Sequence, residues 1–409
     1  MEHITVIGAG VIGLSIAFAL QARGLPVRVI DREGPAAGAS AGNAGAFAFS
    51  EILPLASPRM IRQAPKWLLD PLGPLSVPPR YAARIAPWMW RFWKASWPAQ
   101  VQASTVAQTA LMQRSKAALE QHLERCGLRH MLRHEGQLQV YEGEAEFRAA
   151  LPGWDAREAA GIPFVHLKGD EVATYQPGLA PTFTHATFTP EWQSISDPRD
   201  YVRAMADRFR ANGGEITIAR AERLVAGGVE TSDGVMRGHI VLAAGAHSHH
   251  LARTAGVKIP LETERGYNTT LPKGAFDLKR QITFGGHGFV ISKVGNGLRV
   301  GGAVELGGLD LPPNYARADA MLKKAKRFLP DLDISGGTQW MGFRPSLPDS
   351  LPAIGPLPGR PDVLCALGHG HLGLTQSAGT AAIVADLMTG QDPGIDLIPF
   401  SPARFSRMT

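Results

Sequence analysis

His3-Ile4-Thr5-Val6-Ile7-Gly8-Ala9-Gly10-Val11-Ile12-Gly13-Leu14 opens the chain, and its reading decides the fold. A short apolar run, residues 3–7, reads as a strand. Three glycines follow at G-x-G-x-x-G spacing, and Leu14, Ile16, Ala17 and Leu20 then continue as an apolar helix. Gly24 closes that helix, and a second strand, residues 27–30, ends at Asp31. Each glycine has its own task. Gly8 makes the tight turn, Gly10 lets backbone approach a pyrophosphate, and Gly13 lets helix and strand pack closely. The helix start offers free N–H groups and a positive dipole end to phosphates. Asp31, 23 residues after Gly8, is placed to accept hydrogen bonds from a ribose diol. Strand, glycines, helix, strand and acid in this order predict a dinucleotide-binding βαβ unit rather than a glycine-rich structural turn.

The whole chain of 409 residues has room for one large or two medium domains. Hydrophobic content of 44% and charged content of 19% belong to a globular protein, not a disordered one. No apolar run approaches the roughly 20 residues of a membrane-spanning helix. The apolar N-terminus lacks a basic leader, and its glycines are already explained, so no signal peptide is expected. Only two cysteines occur, Cys126 and Cys365, which gives no disulfide framework and suits a reducing cytoplasm. A net charge of +6 suits anionic ligands or surfaces. The densest basic run, Lys323-Lys324-Ala325-Lys326-Arg327, lies in a helix-like segment that also carries Met321, Leu322 and Phe328, and reads as the solvated face of a helix. Neither zinc-finger spacing nor an RNA-binding signature is present, so nucleic acid is not an expected partner.

Further along, helical patterns cover residues 104–125, with Leu111, Ser115, Ala118 and His122 at helical spacing, and residues 198–212, stopped by Asn212-Gly213-Gly214. Strands are predicted at 136–141, Glu215–Ile218, 240–244, Glu262–Leu271, 281–283, Phe289–Val294 and 298–304, with Gly295-Asn296-Gly297 as a hairpin turn. A last strand at 363–366, a glycine-rich loop at 368–373 and a helix at 375–387 complete the pattern. The expected fold is mixed α/β, with a Rossmann-like dinucleotide domain interleaved with an antiparallel-sheet substrate domain. The expected boundaries are 1–50, 190–258 and 345–409 for the first. The second takes 51–189 and 259–344, with a helical, tryptophan-rich segment at 76–100.

Several further motifs have a common explanation. They are Ala39-Ser40-Ala41-Gly42-Asn43-Ala44-Gly45, Val241-Leu242-Ala243-Ala244-Gly245-Ala246, Arg265-Gly266-Tyr267, Gly342-Phe343-Arg344-Pro345 leading to Pro348-Asp349, and Gly368-His369-Gly370-His371-Leu372-Gly373-Leu374-Thr375. Together they resemble the glycine oxidase and D-amino-acid oxidase superfamily of FAD-dependent oxidoreductases, closest to bacterial D-amino-acid dehydrogenases. The resemblance runs over nearly the whole chain. It implies that FAD lies extended on the Rossmann-like domain. Gly8, Gly10, Val11 and Ile12 would hold its pyrophosphate, Asp31 its ribose with Arg32 alongside, and Ala221 its adenine through backbone. Ser40, Asn43, Ala44 and Gly45, with Ala244 and Gly245, would lie near phosphates and flavin. The backbone of Gly370, His371, Leu372, Gly373, Leu374 and Thr375 would face the flavin N1/C2 carbonyl, where negative charge develops on reduction. The sarcosine-oxidase branch attaches its flavin to a cysteine near the Arg344 element. No cysteine occurs there, so noncovalent FAD is expected.

Arg344 is the residue expected to define the substrate. A rigidly held guanidinium matches a carboxylate bidentately, and the resemblance assigns it the substrate α-carboxylate. The open alternative is a structural ion pair, for example with Asp349. Tyr267 either touches that carboxylate or lines the pocket, or is a core tyrosine with a satisfied hydroxyl. His287, on the loop Gly285-Gly286-His287-Gly288, either faces the flavin or sits on the surface. No metal site is expected, since flavin motifs already explain the His-containing stretches. Cys365 reads as a small core residue.

In the segment 80–97, Tyr81, Ile85, Trp88, Met89 and Phe92 share one helical face, while Trp90, Trp93 and Trp97 form a second among Arg84, Arg91 and Lys94. The second face suits either a peripheral membrane contact, with a quinone as electron acceptor, or burial at the active site or a subunit contact. The expected activity is FAD-dependent oxidation of a D-amino acid, D-proline or hydroxy-D-proline type included, to an imine and then a 2-oxo acid, with an acceptor other than NAD. A glycine- or sarcosine-type amine oxidase, an FAD-dependent 2-hydroxy-acid dehydrogenase and a flavin-holding subunit of a larger complex are the rivals. A cytoplasmic protein, peripheral on the inner face of the membrane if the tryptophans touch it, and a homo-oligomer complete the expectation.

Overall fold

A computed structural model describes residues 3–68, 70 and 72–408. Its first sheet has six strands in the order Glu215–Ile218, Val27–Asp31, Ile4–Ile7, His239–Leu242, Arg360–Leu367 and Ala353–Leu357. The first five run parallel and the last is antiparallel. Parallel strands need both faces covered, and Ile4, Val6, Val29, Val241 and Ile240 are buried accordingly. The helices Val11–Gln21, Pro198–Ala211 and Gly373–Met388 pack into one core with this sheet.

The helix Pro98–Cys126 joins the same core, although it lies within the 51–189 segment. Its Leu111, Met112, Leu119 and Leu123 are buried against the terminal helices. Gly379 permits the closest crossing, because a side chain there would overlap Ser115. Asp386 accepts from Arg114 at 2.9 Å and also pairs with Arg23, tying two helices to the turn that follows Val11–Gln21.

The second sheet has nine strands. Its main path runs Thr338–Ser346, Glu262–Leu271, Gly297–Leu306, Phe289–Val294, Gln281–Phe284, Gln137–Glu142, Phe183–Thr189 and Val165–Lys168, and Leu75–Ser76 adds to Gly297–Leu306. The turn between its central strands is two residues long, Gly295-Asn296, because Val294 pairs with Gly297. One face packs on the helix Ala316–Phe328, whose Met321, Leu322, Ala325 and Phe328 are buried while Lys323, Lys326 and Arg327 face solvent. The other face turns toward the first sheet. Two side chains bridge the units: Asn268 donates to the Gly42 carbonyl at 2.8 Å, and Arg299 to that of Asn43 at 2.6 Å.

In the tryptophan-rich segment the helix is Ala82–Ala95. Tyr81, Ile85 and Trp88 bury against Leu306, and Phe92 stacks on Trp88. Trp90, Trp93 and Trp97 are 55%, 39% and 53% exposed and form a ladder, Trp90 stacked on Trp93 and Trp93 edge-on to Trp97, with Lys94 over Trp90. Among the described residues no helix is long and apolar enough to cross a membrane.

Candidate active site

The two sheets enclose a cavity of about 1400 Å³, larger than the roughly 300–1,000 Å³ of a pocket for one small ligand. It runs from Asp31, Arg32 and Ala221, past Gly8, Gly10, Val11 and Ile12, along Ser40, Asn43 and Ala44 and past Ala244 and Gly245, to Gly370–Leu372, Gly373, Leu374 and Thr375. Arg344, Glu264, Tyr267 and Trp340 stand at its substrate-sheet wall.

The dinucleotide end is built by backbone economy. Gly8 has φ +115°, and a Cβ there would overlap the Ala243 carbonyl. Asp31 holds the turn as well as facing the cavity: Oδ2 accepts from Ala9 N at 2.8 Å, and Oδ1 from Glu33 N and Gly34 N at 2.9 Å. Arg32 lines the cavity but pairs with Glu33 at 2.8 Å. The first helix has no side-chain cap from its own N-cap, Gly10. Ser40 supplies an acceptor instead, taking the Val11 N–H at 2.9 Å. Asn43 shapes its loop by accepting from Gly45 N at 2.8 Å and donating to Ser40 O at 3.2 Å. Gly45 itself does not line the cavity; a Cβ there would meet the Ile195 carbonyl at 3.1 Å. The Asn43 turn carries the chain from there toward residue 195. At the far end, Thr375 Oγ1 accepts from Ala48 N at 3.0 Å and donates to Ala46 O at 3.2 Å, fixing the start of the last helix. His371 lines the cavity there, and desolvation by the surrounding protein lowers its pKa. A cavity long enough for an extended dinucleotide, glycines where side chains would collide and two helix starts on its wall together fit FAD.

Arg344 lies on the strand Thr338–Ser346. Its Nη1 donates to Ala303 O at 2.9 Å and its Nη2 to Gly302 O at 3.4 Å. Gly266 makes room for it, since a Cβ there would overlap the guanidinium. Burial lowers the pKa of Arg344 and the Glu264 carboxylate opposes this. Asp349 is not its partner: Arg404 Nε occupies that carboxylate at 2.7 Å. Trp340 is accommodated by Gly42 and Gly342, where any Cβ would overlap the indole.

Two of the three expected catalytic residues are otherwise engaged. Tyr267 contributes to the wall, but its hydroxyl donates to Glu305 Oε1 and accepts from Asn314 N, both at 3.0 Å. Strand parity explains this: Glu264, Gly266 and Asn268 face the cavity, so Arg265 and Tyr267 point to the opposite side. There Arg265, fully buried, pairs with Glu305 and donates to the carbonyls of Gly308, Leu311 and Pro312. His287 is turned away altogether. Gly285, Gly286 and Gly288 line the cavity, while the imidazole meets Glu142 Oε2 at 3.1 Å and packs on Phe328. Glu264 was not among the expected site residues. The signal was present as a charged residue in phase with Gly266 along a buried strand.

The fold and this cavity define a dinucleotide-dependent oxidoreductase with a substrate compartment roofed by a mostly antiparallel sheet, in which Gln281–Phe284 with Gln137–Glu142 and Gly297–Leu306 with Leu75–Ser76 are the parallel pairs. Residues 3–387 match the DAO family of FAD-dependent oxidoreductases. The chain belongs to that family, and FAD is its cofactor. It is 33% identical over 418 residues to a D-amino-acid oxidase of Bradyrhizobium diazoefficiens, covering 99% of each chain. It is 30% identical over 419 residues to a D-amino acid dehydrogenase of Sinorhizobium medicae, covering 98% of this chain and 99% of the other. Glycine oxidase from Geobacillus kaustophilus shares the fold, with TM-score 0.79 at 22% identity and 99% of both chains covered. So does L-proline dehydrogenase from P. horikoshii, with TM-score 0.75 at 20% identity, covering 100% of this chain and 98% of that one. Among the described residues no group of three or more His, Cys, Asp or Glu side chains could hold a metal.

Proposed function

We propose that the chain oxidises a D-amino acid, acyclic or of the proline type, to an imine that water hydrolyses to a 2-oxo acid and ammonia. A cyclic substrate would give a pyrroline instead. The observation that carries this is Arg344: a cavity-lining guanidinium held by two carbonyls, with no carboxylate at ion-pair distance among the described residues. A substrate carboxylate is the anion that completes it. The names of the D-amino-acid oxidase and dehydrogenase relatives support the same substrate class. Bound FAD supplies a two-electron acceptor for the substrate Cα hydride. The chain's own part is orientation: Arg344 fixes the carboxylate, Gly266 leaves the guanidinium space, and the Gly373–Met388 helix start offers a positive dipole end to developing negative charge.

Both cysteines are buried, and burial pushes the Cys365 thiol up to about 12, which suits a flavin held without a covalent bond. The exposed Trp90, Trp93 and Trp97 face beside Lys94 suits peripheral membrane contact and a quinone acceptor on the cytoplasmic side. A 2-hydroxy-acid dehydrogenase needs a base near the alcohol, and His287 does not offer one, because it is turned from the cavity. The test is product formation with a dye acceptor and separate D- and L-amino acids, glycine, sarcosine and 2-hydroxy acids. Production of 2-oxo acid or pyrroline from D enantiomers supports the reading. Turnover confined to glycine, sarcosine or a hydroxy acid overturns it.

A further inference from the structure

Glu264 faces Arg344 directly across the antiparallel ladder between Glu262–Leu271 and Thr338–Ser346. Residues so paired rise from the same face of a sheet with Cβ atoms about 4.5–5.5 Å apart. Both side chains line the cavity, yet among the described residues no ion pair joins them. Glu264 is only 5% exposed. Its carboxylate accepts no hydrogen bond among the described residues, and its oxygens are not among the buried atoms sealed from solvent. Of the other cavity glutamates, Glu222 is exposed to solvent and the others have partners. Glu51 pairs with Arg157 at 3.2 Å, and Glu146 accepts from Glu142 N at 2.8 Å. An enclosed carboxylate without a partner is costly, so one aimed into a ligand cavity marks where a cation belongs.

We propose that Glu264 receives the amino group of the substrate, so that Arg344 and Glu264 together read an α-amino acid as a zwitterion. This rests on the amino-acid reading above. The carboxylate and ammonium of an α-amino acid hang from one carbon, so their receptors must stand side by side with opposite charge. Neighbouring positions on one ladder provide that. Gly266 leaves room on that face for the Arg344 guanidinium. The pair also discriminates: a 2-hydroxy acid satisfies Arg344 but leaves the Glu264 charge uncompensated.

The test uses two ligands of the same shape that lack a Cα hydrogen and so cannot be oxidised, 2-aminoisobutyrate and 2,2-dimethylpropanoate. Their dissociation constants are read from perturbation of the flavin spectrum in the wild-type holoenzyme and in Glu264→Gln, Glu264→Asp and Arg344→Ala. Glu264→Gln should weaken 2-aminoisobutyrate by about tenfold or more and leave 2,2-dimethylpropanoate unchanged or tighter, with partial rescue in Glu264→Asp. Equal loss of both ligands, unchanged 2-aminoisobutyrate affinity, or a wild-type enzyme with no preference for the amine overturns the assignment. The amino-acid reading fails separately if Arg344→Ala leaves both affinities intact.

Discussion

Arg344 and Gly266 form one device. The guanidinium occupies the space a Cβ on Gly266 would need, and it is the far end of a flexible side chain. Gly266→Ala should therefore displace the guanidinium while sparing the fold. We expect substrate carboxylate affinity to fall about tenfold or more with little change in melting temperature, measurable by ligand titration and calorimetry. At this scale the sequence was only partly legible. Arg344 stood out because Gly and Pro flank it in a recognisable element. Tyr267 and His287 were chemically plausible, but their direction depends on strand parity and on the Glu142 and Phe328 contacts, which no local pattern encodes. Glu264 escaped notice because its meaning comes from Arg344, 80 positions later in the chain and opposite it only in the ladder.

The first helix shows how an element borrows what it lacks. Gly10 must stay bare for a phosphate, so Ser40, from a loop 29 residues on, takes the Val11 N–H. Ser40→Ala should cost about 1 kcal/mol at that helix start, roughly fivefold in FAD affinity if the loss falls on the bound state. Flavin retained on gel filtration measures it, and Ser40→Thr should keep more. Elements were the most legible scale. The glycine spacing fixed the βαβ unit, and Glu262–Leu271 and Phe289–Val294 fall where alternation placed them. Other boundaries moved at the ends, as with Gly297–Leu306, because tertiary pairing extends a strand past its local signal.

Across the whole molecule, buried histidines set the response to acid. Burial lowers His122 to about 4 and His369 to about 3. Below an unfolded value near 6.5, the unfolded chain binds protons that these folded sites refuse, so stability is greatest above that value and declines as pH falls toward 4 and 3. The slope is at most about 1.4 kcal/mol per pH unit for each group. Melting temperature should drop between pH 7 and pH 5, and His122→Gln should flatten that dependence. The exposed tryptophan ladder belongs to this scale too. Trp90→Ser with Trp93→Ser and Trp97→Ser should abolish cosedimentation with anionic phosphatidylglycerol vesicles while leaving dye-linked turnover unchanged; vesicle binding equal to wild type would remove the membrane role. Its exposure was not readable from helical spacing, since a second apolar face can also be a buried one. The central claim is that Arg344 presents a D-amino acid to the flavin. Its most direct test is anaerobic reduction of the flavin absorbance band by D- and L-amino acids in wild-type protein and Arg344→Ala. The account predicts bleaching by D enantiomers that falls about a hundredfold or more in efficiency in the variant; bleaching by none of them, or bleaching that Arg344→Ala leaves intact, would contradict it.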